Sequence, residues 1–137
     1  LDKIDSFVQK RTQNHDELYK KFKKFKKYFI LPEKTKGSKP SWFGFVLTVR
    51  ENAGFTRAEF VNYLEDHKIG TRLLFAGNIT KQPAYAKTIF KKMGKLENSD
   101  IVMQNTLWIG CYPAINSSII KYISKVVTQF IEEKNAN

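Results

Sequence analysis

Two stretches, PSWFGF at residues 40–45 and IGTRLLFAGNITKQPAY at residues 69–85, decide how this sequence folds. The first opens a run from Trp42 to Val49 that is rich in aromatic and β-branched residues. It reads as a strand, with Arg50 and Glu51 leading out of it. The second stretch begins where a helical pattern ends: Gly70 follows the apolar Ile69 and suits a helix stop. Leu73 to Ala76 then read as a short buried strand, and Gly77-Asn78 and Gln82-Pro83 as turns. An arginine at the entrance of a buried strand is costly without an anionic partner, so Arg72 reads as a ligand clamp. The alternative is a surface arginine paired with a carboxylate.

Upstream of these stretches, Ile4, Val8, Leu18, Phe22, Phe25 and Phe29 recur at spacings of three and four. They predict a helix of roughly twenty-five residues with one apolar face. Arg11 and His15 continue that stripe, and two polar positions there imply contact with something other than a dry core. Pro32 and residues 34–40 form a polar loop. Thr56-Arg57-Ala58-Glu59 fits a capping box, and Phe60, Val61, Leu64 and Ile69 give the helix it opens an apolar face. Residues 78–97 show little periodicity. A short helix is expected from Asp100 to Thr106, capped by Asn98 or Ser99. Leu107 to Tyr112 read as a second apolar strand ended by Pro113. Asn116 or Ser117 caps a last helix whose face is Ile119 or Ile120, Ile123, Val126 or Val127, and Phe130. The tail beyond Glu133 is expected to fray. Helices alternating with strands in this way make an α+β two-layer sandwich, a small sheet covered on one side by helices.

Composition narrows the classes. With 137 residues, 42% hydrophobic and 14% aromatic, the chain is large enough to bury one core without a metal or disulfide. Cys111 is the single cysteine, which excludes an internal disulfide and a multi-cysteine metal site; a reducing, cytoplasmic setting is compatible with it. No apolar run is long enough to span a bilayer. The start at Leu1, with neither a methionine nor a signal-peptide core, reads as a cut at a helix start. The net charge of +11 is concentrated in Lys20, Lys21, Lys23, Lys24, Lys26 and Lys27. Lysines interleaved with aromatics can mark a nucleic-acid-binding module. Here Phe22, Phe25 and Phe29 keep helical spacing, so a solvated lysine face is preferred.

Several segments, in order along the chain, carry a resemblance to a known family. They are Lys3 to Phe7, Ile30 to Glu33, Ser41 to Phe45, Leu47 to Arg50, Gly70 to Tyr85, Asp100 to Met103 and Trp108 to Pro113. Together they resemble the DegT/StrS family of pyridoxal-phosphate-dependent sugar aminotransferases and dehydrases. Leu73-Leu74-Phe75-Ala76-Gly77-Asn78 departs from the Pro-Tyr-Tyr-like stretch that the family's aminotransferases carry after the arginine. It is most similar to the dehydrases that act at carbon 3 of CDP-4-dehydro-6-deoxyglucose, in the formation of the 3,6-dideoxyhexoses of lipopolysaccharide O-antigen.

The resemblance implies the C-terminal small domain of the aspartate-aminotransferase fold (pyridoxal-phosphate fold type I). Residues 1–30 would be a long helix linking to a large domain, and residues 31–137 the small domain. It implies that pyridoxal or pyridoxamine phosphate, and the two-iron two-sulfur cluster of the CDP-sugar dehydrase, are held by the full-length homodimer, which would be served by a reductase partner. None would be bound by this chain, which would be inactive alone. The arginine of the Gly-Thr-Arg motif, Arg72, would reach a nucleotide-sugar substrate, with Asn78 and Thr80 adding neutral hydrogen bonds. Trp42 and Phe43 could pack against that site or in the core. His67 reads as a solvated helix-end residue, His15 as a packing residue and Cys111 as a small core residue.

Overall fold

The computed structural model describes residues 2–136. Leu1, where a cut is expected, and Asn137, the end of the tail expected to fray, lie outside the described residues. The chain runs α1 (Ile4–Phe22), a 3-10 turn (Lys23–Phe25), β1 (Phe29–Ile30), β2 (Gly44–Val49), α2 (Arg57–Asp66) and β3 (Thr71–Leu73). Two 3-10 turns, Ile79–Lys81 and Pro83–Tyr85, lead to α3 (Glu97–Asn105), β4 (Thr106–Gly110) and α4 (Ser117–Ala136). The strands form one antiparallel sheet in the order β1-β2-β4-β3.

Alternation along β2 explains why one face is covered. Phe45, Leu47 and Val49 are buried, while Gly44, Val46 and Thr48 between them are only half-buried. Their cross-strand partners Ile109 and Leu107 are buried beside them. Onto this face pack Leu18 and Phe22 of α1, Phe60 and Leu64 of α2, and Ile120, Val126, Val127 and Phe130 of α4. The rings of Phe29, Phe55, Phe60 and Phe130 form one cluster with centroids 4.8–6.0 Å apart. Burying each such ring contributes roughly 1.5–3 kcal/mol. The other face is only partly covered: Ile101 and Asn105 of α3 share a hollow with Ile30 and Thr48. The sandwich thus has a fragment of a third layer that the alternation of elements did not announce.

Local signals account for most boundaries. The Thr56 hydroxyl accepts the Glu59 N–H (3.2 Å) and the Glu59 carboxylate accepts the Thr56 N–H (2.8 Å), so the expected capping box is present. Asn116 caps α4 by accepting the Ile119 N–H at 3.0 Å. The long first helix stops at Phe22 and tightens into a 3-10 turn, so that Phe25 and Phe29 reach the core by a bend. The strand expected from Trp42 starts at Gly44.

Three expectations are corrected. The stop after α2 falls on Lys68, not Gly70: Lys68 takes φ 60°. Its N–H donates to the Glu65 carbonyl and that of Ile69 to the Leu64 carbonyl, both at 2.9 Å. This paired closure satisfies the last carbonyls, and burial of Ile69 offsets the cost of a left-handed lysine. Helix α3 begins after Leu96, at φ 59°, with no side-chain cap, and Asn98 and Ser99 lie inside its first turn. The C-terminal tail is helical to Ala136, held by Lys134 on Glu59 (2.6 Å) and by Asn135 against the Tyr28 hydroxyl (3.0 Å). No described helix is long and apolar enough to cross a membrane.

Candidate functional site

The stretch expected as a buried strand is instead an exposed edge. Only Thr71–Leu73 pair with β4; Leu73 is 54% exposed and Phe75 86% exposed. Of the strand expected over Leu73 to Ala76 only Leu73 is in β3; Phe75 and Ala76 form a turn, with Phe75 at φ 48°. An edge strand of three residues has one neighbour and little cover. Its position is fixed from α2, because the Glu65 carboxylate accepts both the Thr71 N–H (2.6 Å) and the Thr71 hydroxyl (2.7 Å). These bonds, and more weakly the charge of Arg72, hold the Glu65 carboxyl below its usual range.

Arg72 is the cross-strand partner of Trp108, so both side chains lie on the face opposite Leu107 and Ile109. One guanidinium N–H donates to the Thr71 carbonyl at 2.9 Å. Among the described residues Arg72 has no ion-pair partner within 4.0 Å, so neither the buried-strand nor the paired-surface reading describes it. It is an exposed arginine with most of its five donors unspent. Beside it Phe43, 68% exposed, packs on Trp108 with centroids 4.9 Å apart. Gly44 makes this possible, since a Cβ there would run into the Trp108 ring. Trp108 is the residue that sequence reasoning missed. The alternation in Leu107-Trp108-Ile109 was its available signal, because it sets the tryptophan on the opposite face from its two neighbours.

Beyond β3 the irregular chain is braced against α3. Gly77, at φ 62°, lies so close to Met103 that no side chain would fit. Asn78 is 1% exposed; it donates to Asp100 (2.7 Å) and accepts from the Thr80 N–H (3.1 Å) and hydroxyl (2.7 Å). Lys81 donates to the other Asp100 oxygen at 2.9 Å, and Gln82 to the Ala76 carbonyl at 2.7 Å. Lys81 first, then Asn78, hold the Asp100 carboxyl below its usual range. Arg72 on β3 and Asn78 and Thr80 in the loop after it are held by separate contacts. Arg72 presents free donors, while the side chains of Asn78 and Thr80 are engaged with each other and with α3.

Of the two polar positions in the α1 stripe, Arg11 finds backbone partners, whereas both ring nitrogens of His15 are buried without a hydrogen bond. Arg11 donates to the carbonyls of Trp42 (2.9 Å) and Cys111 (3.0 Å), and Asn14 to that of Tyr112 (2.8 Å), so α1 is pinned to the ends of β2 and β4. His15 stacks on Trp42 with centroids 3.8 Å apart and planes at 5°. It lies at the edge of a half-open cavity of about 590 Å³ between α1 and residues 32–42. Burial lowers its pKa to about 4, against a smaller opposing pull from Asp16. His67 donates from Nδ1 to the Tyr63 carbonyl (2.8 Å), as suits a helix end.

Neither proposed cofactor finds its holder here. The thiol of Cys111 is buried, pushed up to about 11 by desolvation, and faces the Arg11 carbonyl at 3.4 Å, which does not suit an iron ligand. No group of three or more metal-ligating side chains is gathered among the described residues. All described lysines are exposed or half-buried, and both histidines are engaged in stacking or at a helix end, so no Schiff-base lysine or substitute base is presented. What the chain presents is one wall: an arginine, exposed aromatic rings and a braced loop.

The fold is shared with enzymes of the pyridoxal-phosphate fold-type I, aminotransferase-like group. The Escherichia coli GDP-4-keto-6-deoxy-D-mannose-3-dehydratase, solved with bound hydrated PLP, superposes with a TM-score of 0.82 at 25% identity, covering 92% of this chain and 32% of that one. The chain belongs to the DegT/DnrJ/EryC1/StrS aminotransferase family, whose profile matches residues 1–128. It is 39% identical over 130 residues to the lipopolysaccharide biosynthesis protein RfbH of Salmonella typhimurium, covering 95% of this chain and 30% of that protein. It is 42% identical over 135 residues to the dTDP-4-dehydro-2,6-dideoxy-D-glucose 3-dehydratase of Saccharopolyspora spinosa, covering 98% of this chain and 29% of that protein. The chain thus spans about three-tenths of the length of the curated relatives it matches.

Proposed function

We propose that this chain is the C-terminal small domain of a pyridoxal- or pyridoxamine-phosphate-dependent nucleotide-sugar 3-dehydrase, with CDP-4-dehydro-6-deoxyglucose as substrate in O-antigen dideoxyhexose formation. The observation that carries the reading is the match, over nearly the whole chain, to two relatives named for lipopolysaccharide biosynthesis and for sugar 3-dehydration. Residues 1–30 serve as the helix leading to a large domain, and residues 31–137 as the small domain. The large domain supplies the cofactor cradle and the base; a two-iron two-sulfur cluster, if the enzyme carries one, also lies there. The full-length enzyme is a cytoplasmic homodimer that receives electrons from a reductase, and this chain alone turns over no sugar.

In this reading Arg72 holds an anionic or carbonyl oxygen of the nucleotide-sugar, since paired guanidinium donors match such oxygens better than a lysine does. The half-buried Trp108 ring lies across from it on the open sheet face, with the exposed Phe43 packed on that ring. Asn78 and Thr80 contribute by shaping the loop that borders the substrate. They are braced on Asp100 rather than free.

The test uses the full-length protein. Incubated with the CDP-sugar, cofactor and reductant, it is expected to give a product lacking the hydroxyl at carbon 3. Glutamate-dependent transfer of an amino group would replace the dehydrase reading with the family's aminotransferase activity. Arg72→Lys and Arg72→Ala are expected to lose on the order of 2–4 kcal/mol of transition-state stabilisation at unchanged melting temperature. A fully active Arg72→Ala enzyme overturns the clamp.

A further inference from the structure

On the far side of the molecule from Arg72, the outer surfaces of α1 and α4 meet in a shallow groove. It is lined by Lys21 and Lys24 from the α1 end and by Lys121, Lys125, Thr128, Gln129 and Glu132 from α4. Helix α1 and helix α4 pack on each other and bury their apolar sides under the sheet, so these residues face outward. Lys21, Lys24, Lys121 and Lys125 are all exposed. Among the described residues none of the four has an ion-pair partner within 4.0 Å, Glu132 included. Lys24 spends one donor on the Thr128 hydroxyl at 2.9 Å, which ties it across the groove.

This arrangement opposes its own stability. Lys121 and Lys125 are one turn apart on α4, and Lys21 and Lys24 one turn apart at the end of α1. Like charges at these spacings repel by about 0.2–0.5 kcal/mol per pair. The two rows line one groove, and its single carboxylate, Glu132, pairs with none of the four. Elsewhere Lys134 sits on Glu59, Lys81 on Asp100 and Lys95 near Glu97; among the described residues the seam lysines have no such carboxylate. Four unneutralised lysines gathered in one groove between two packed helices are complementary to an anionic occupant.

We infer that the α1/α4 seam is a docking surface for an acidic helix on a partner protein. The seat between two packed helices accepts a third one, and carboxylates repeating every three or four residues along it would alternate with the two lysine rows. Nucleic acid fits less well. The seam holds no arginine for paired contacts to base edges or phosphates, and no aromatic ring lines it on which a base could stack. Arg72 lies on the open sheet face and the seam on the helix layer, so occupation of the seam leaves the candidate site uncovered.

The experiment measures fluorescence anisotropy of a labelled twenty-residue alanine-based helical peptide with glutamate pairs one turn apart, titrated with this chain at 20 mM and 150 mM salt. Binding is expected at low salt, weakening at least tenfold at the higher salt. Lys21→Gln with Lys125→Gln is expected to weaken it at least tenfold. The control pair Lys87→Gln with Lys91→Gln, which removes the same charge elsewhere, is expected to change it less than twofold. Circular dichroism of both variants should be unchanged, since all four positions are exposed. Equal weakening by the two pairs would mean that net charge alone binds the peptide and would overturn the site. So would no binding at low salt, or tighter binding of a twenty-nucleotide oligothymidine with the same sensitivity to Lys21 and Lys125.

Discussion

The two faces of the sheet are built from similar residues and treated oppositely. On the helix-covered face Phe22, Phe29, Phe45 and Phe60 are fully buried and touch ring to ring. On the other face Phe43 and the Trp108 ring stand at or near the surface, beside an arginine with donors to spare. A hydrophobic surface left partly bare beside a polar clamp is where a ligand or another surface gains most by binding, because both burial and paired hydrogen bonds are still to be made. The same residue type therefore does two jobs, and only its place on the strand decides which.

The sharpest way to break that comparison is to truncate the same side chain on both faces. Phe60→Ala is expected to cost about 3–5 kcal/mol in urea unfolding, since it removes a ring touching Phe29, Phe55 and Phe130. A loss below 1 kcal/mol would mean that the aromatic cluster is not the core.

Next in size is a pH effect confined to the covered side. The folded pKa of His15 is about 4, against 6.5 unperturbed. Below pH 6.5 the unfolded chain binds a proton that the folded chain refuses until about pH 4. Stability is therefore lost as pH falls across that window, by about 3 kcal/mol in all. His15→Phe keeps a ring on Trp42 and removes the titration. Urea midpoints of both proteins at pH 7.5 and 4 should show the variant losing less, because carboxylates such as Glu59 and Asp100 contribute equally to each. Parallel losses would show that His15 is not buried neutral.

The smallest effect is expected on the open side. Phe43→Ala should change stability by no more than about 1 kcal/mol, since the ring is 68% exposed and leaves no cavity. A cost comparable to that of Phe60→Ala would erase the distinction between the faces.

Much of the covered face was legible in the sequence because it depends on near neighbours. The period of Phe45, Leu47 and Val49, the stripe of Ile120, Ile123, Val127 and Phe130, and the Thr56–Glu59 box each lie within a few residues. The α+β class followed from their order. Cover was not legible. Leu73 and Phe75 are as apolar as core residues, yet hydrophobicity records a tendency to be buried and not the presence of a burying surface. Nor could spacing announce the Asn78–Asp100 bond, 22 residues apart, or the Arg11 bonds to carbonyls 31 and 100 residues away. Of the candidate site, Arg72 was named from the Gly-Thr-Arg motif, and its exposure with unspent donors needed the structure. The side-chain engagement of Asn78 and Thr80, and the place of Trp108, needed the fold.

The strand order has a consequence for how the chain reaches its structure. Strand β4 lies between β2 and β3, and Thr48 meets Thr106 across 58 residues of chain. Until residues 106–110 are available, β2 has only the two-residue β1 beside it and β3 has no strand partner. Closing so long a loop must precede the pairing that rewards it, which slows folding relative to a hairpin order. During synthesis residues 2–105 therefore leave the ribosome as helices and waiting strands, and the sheet assembles only when its last strand arrives.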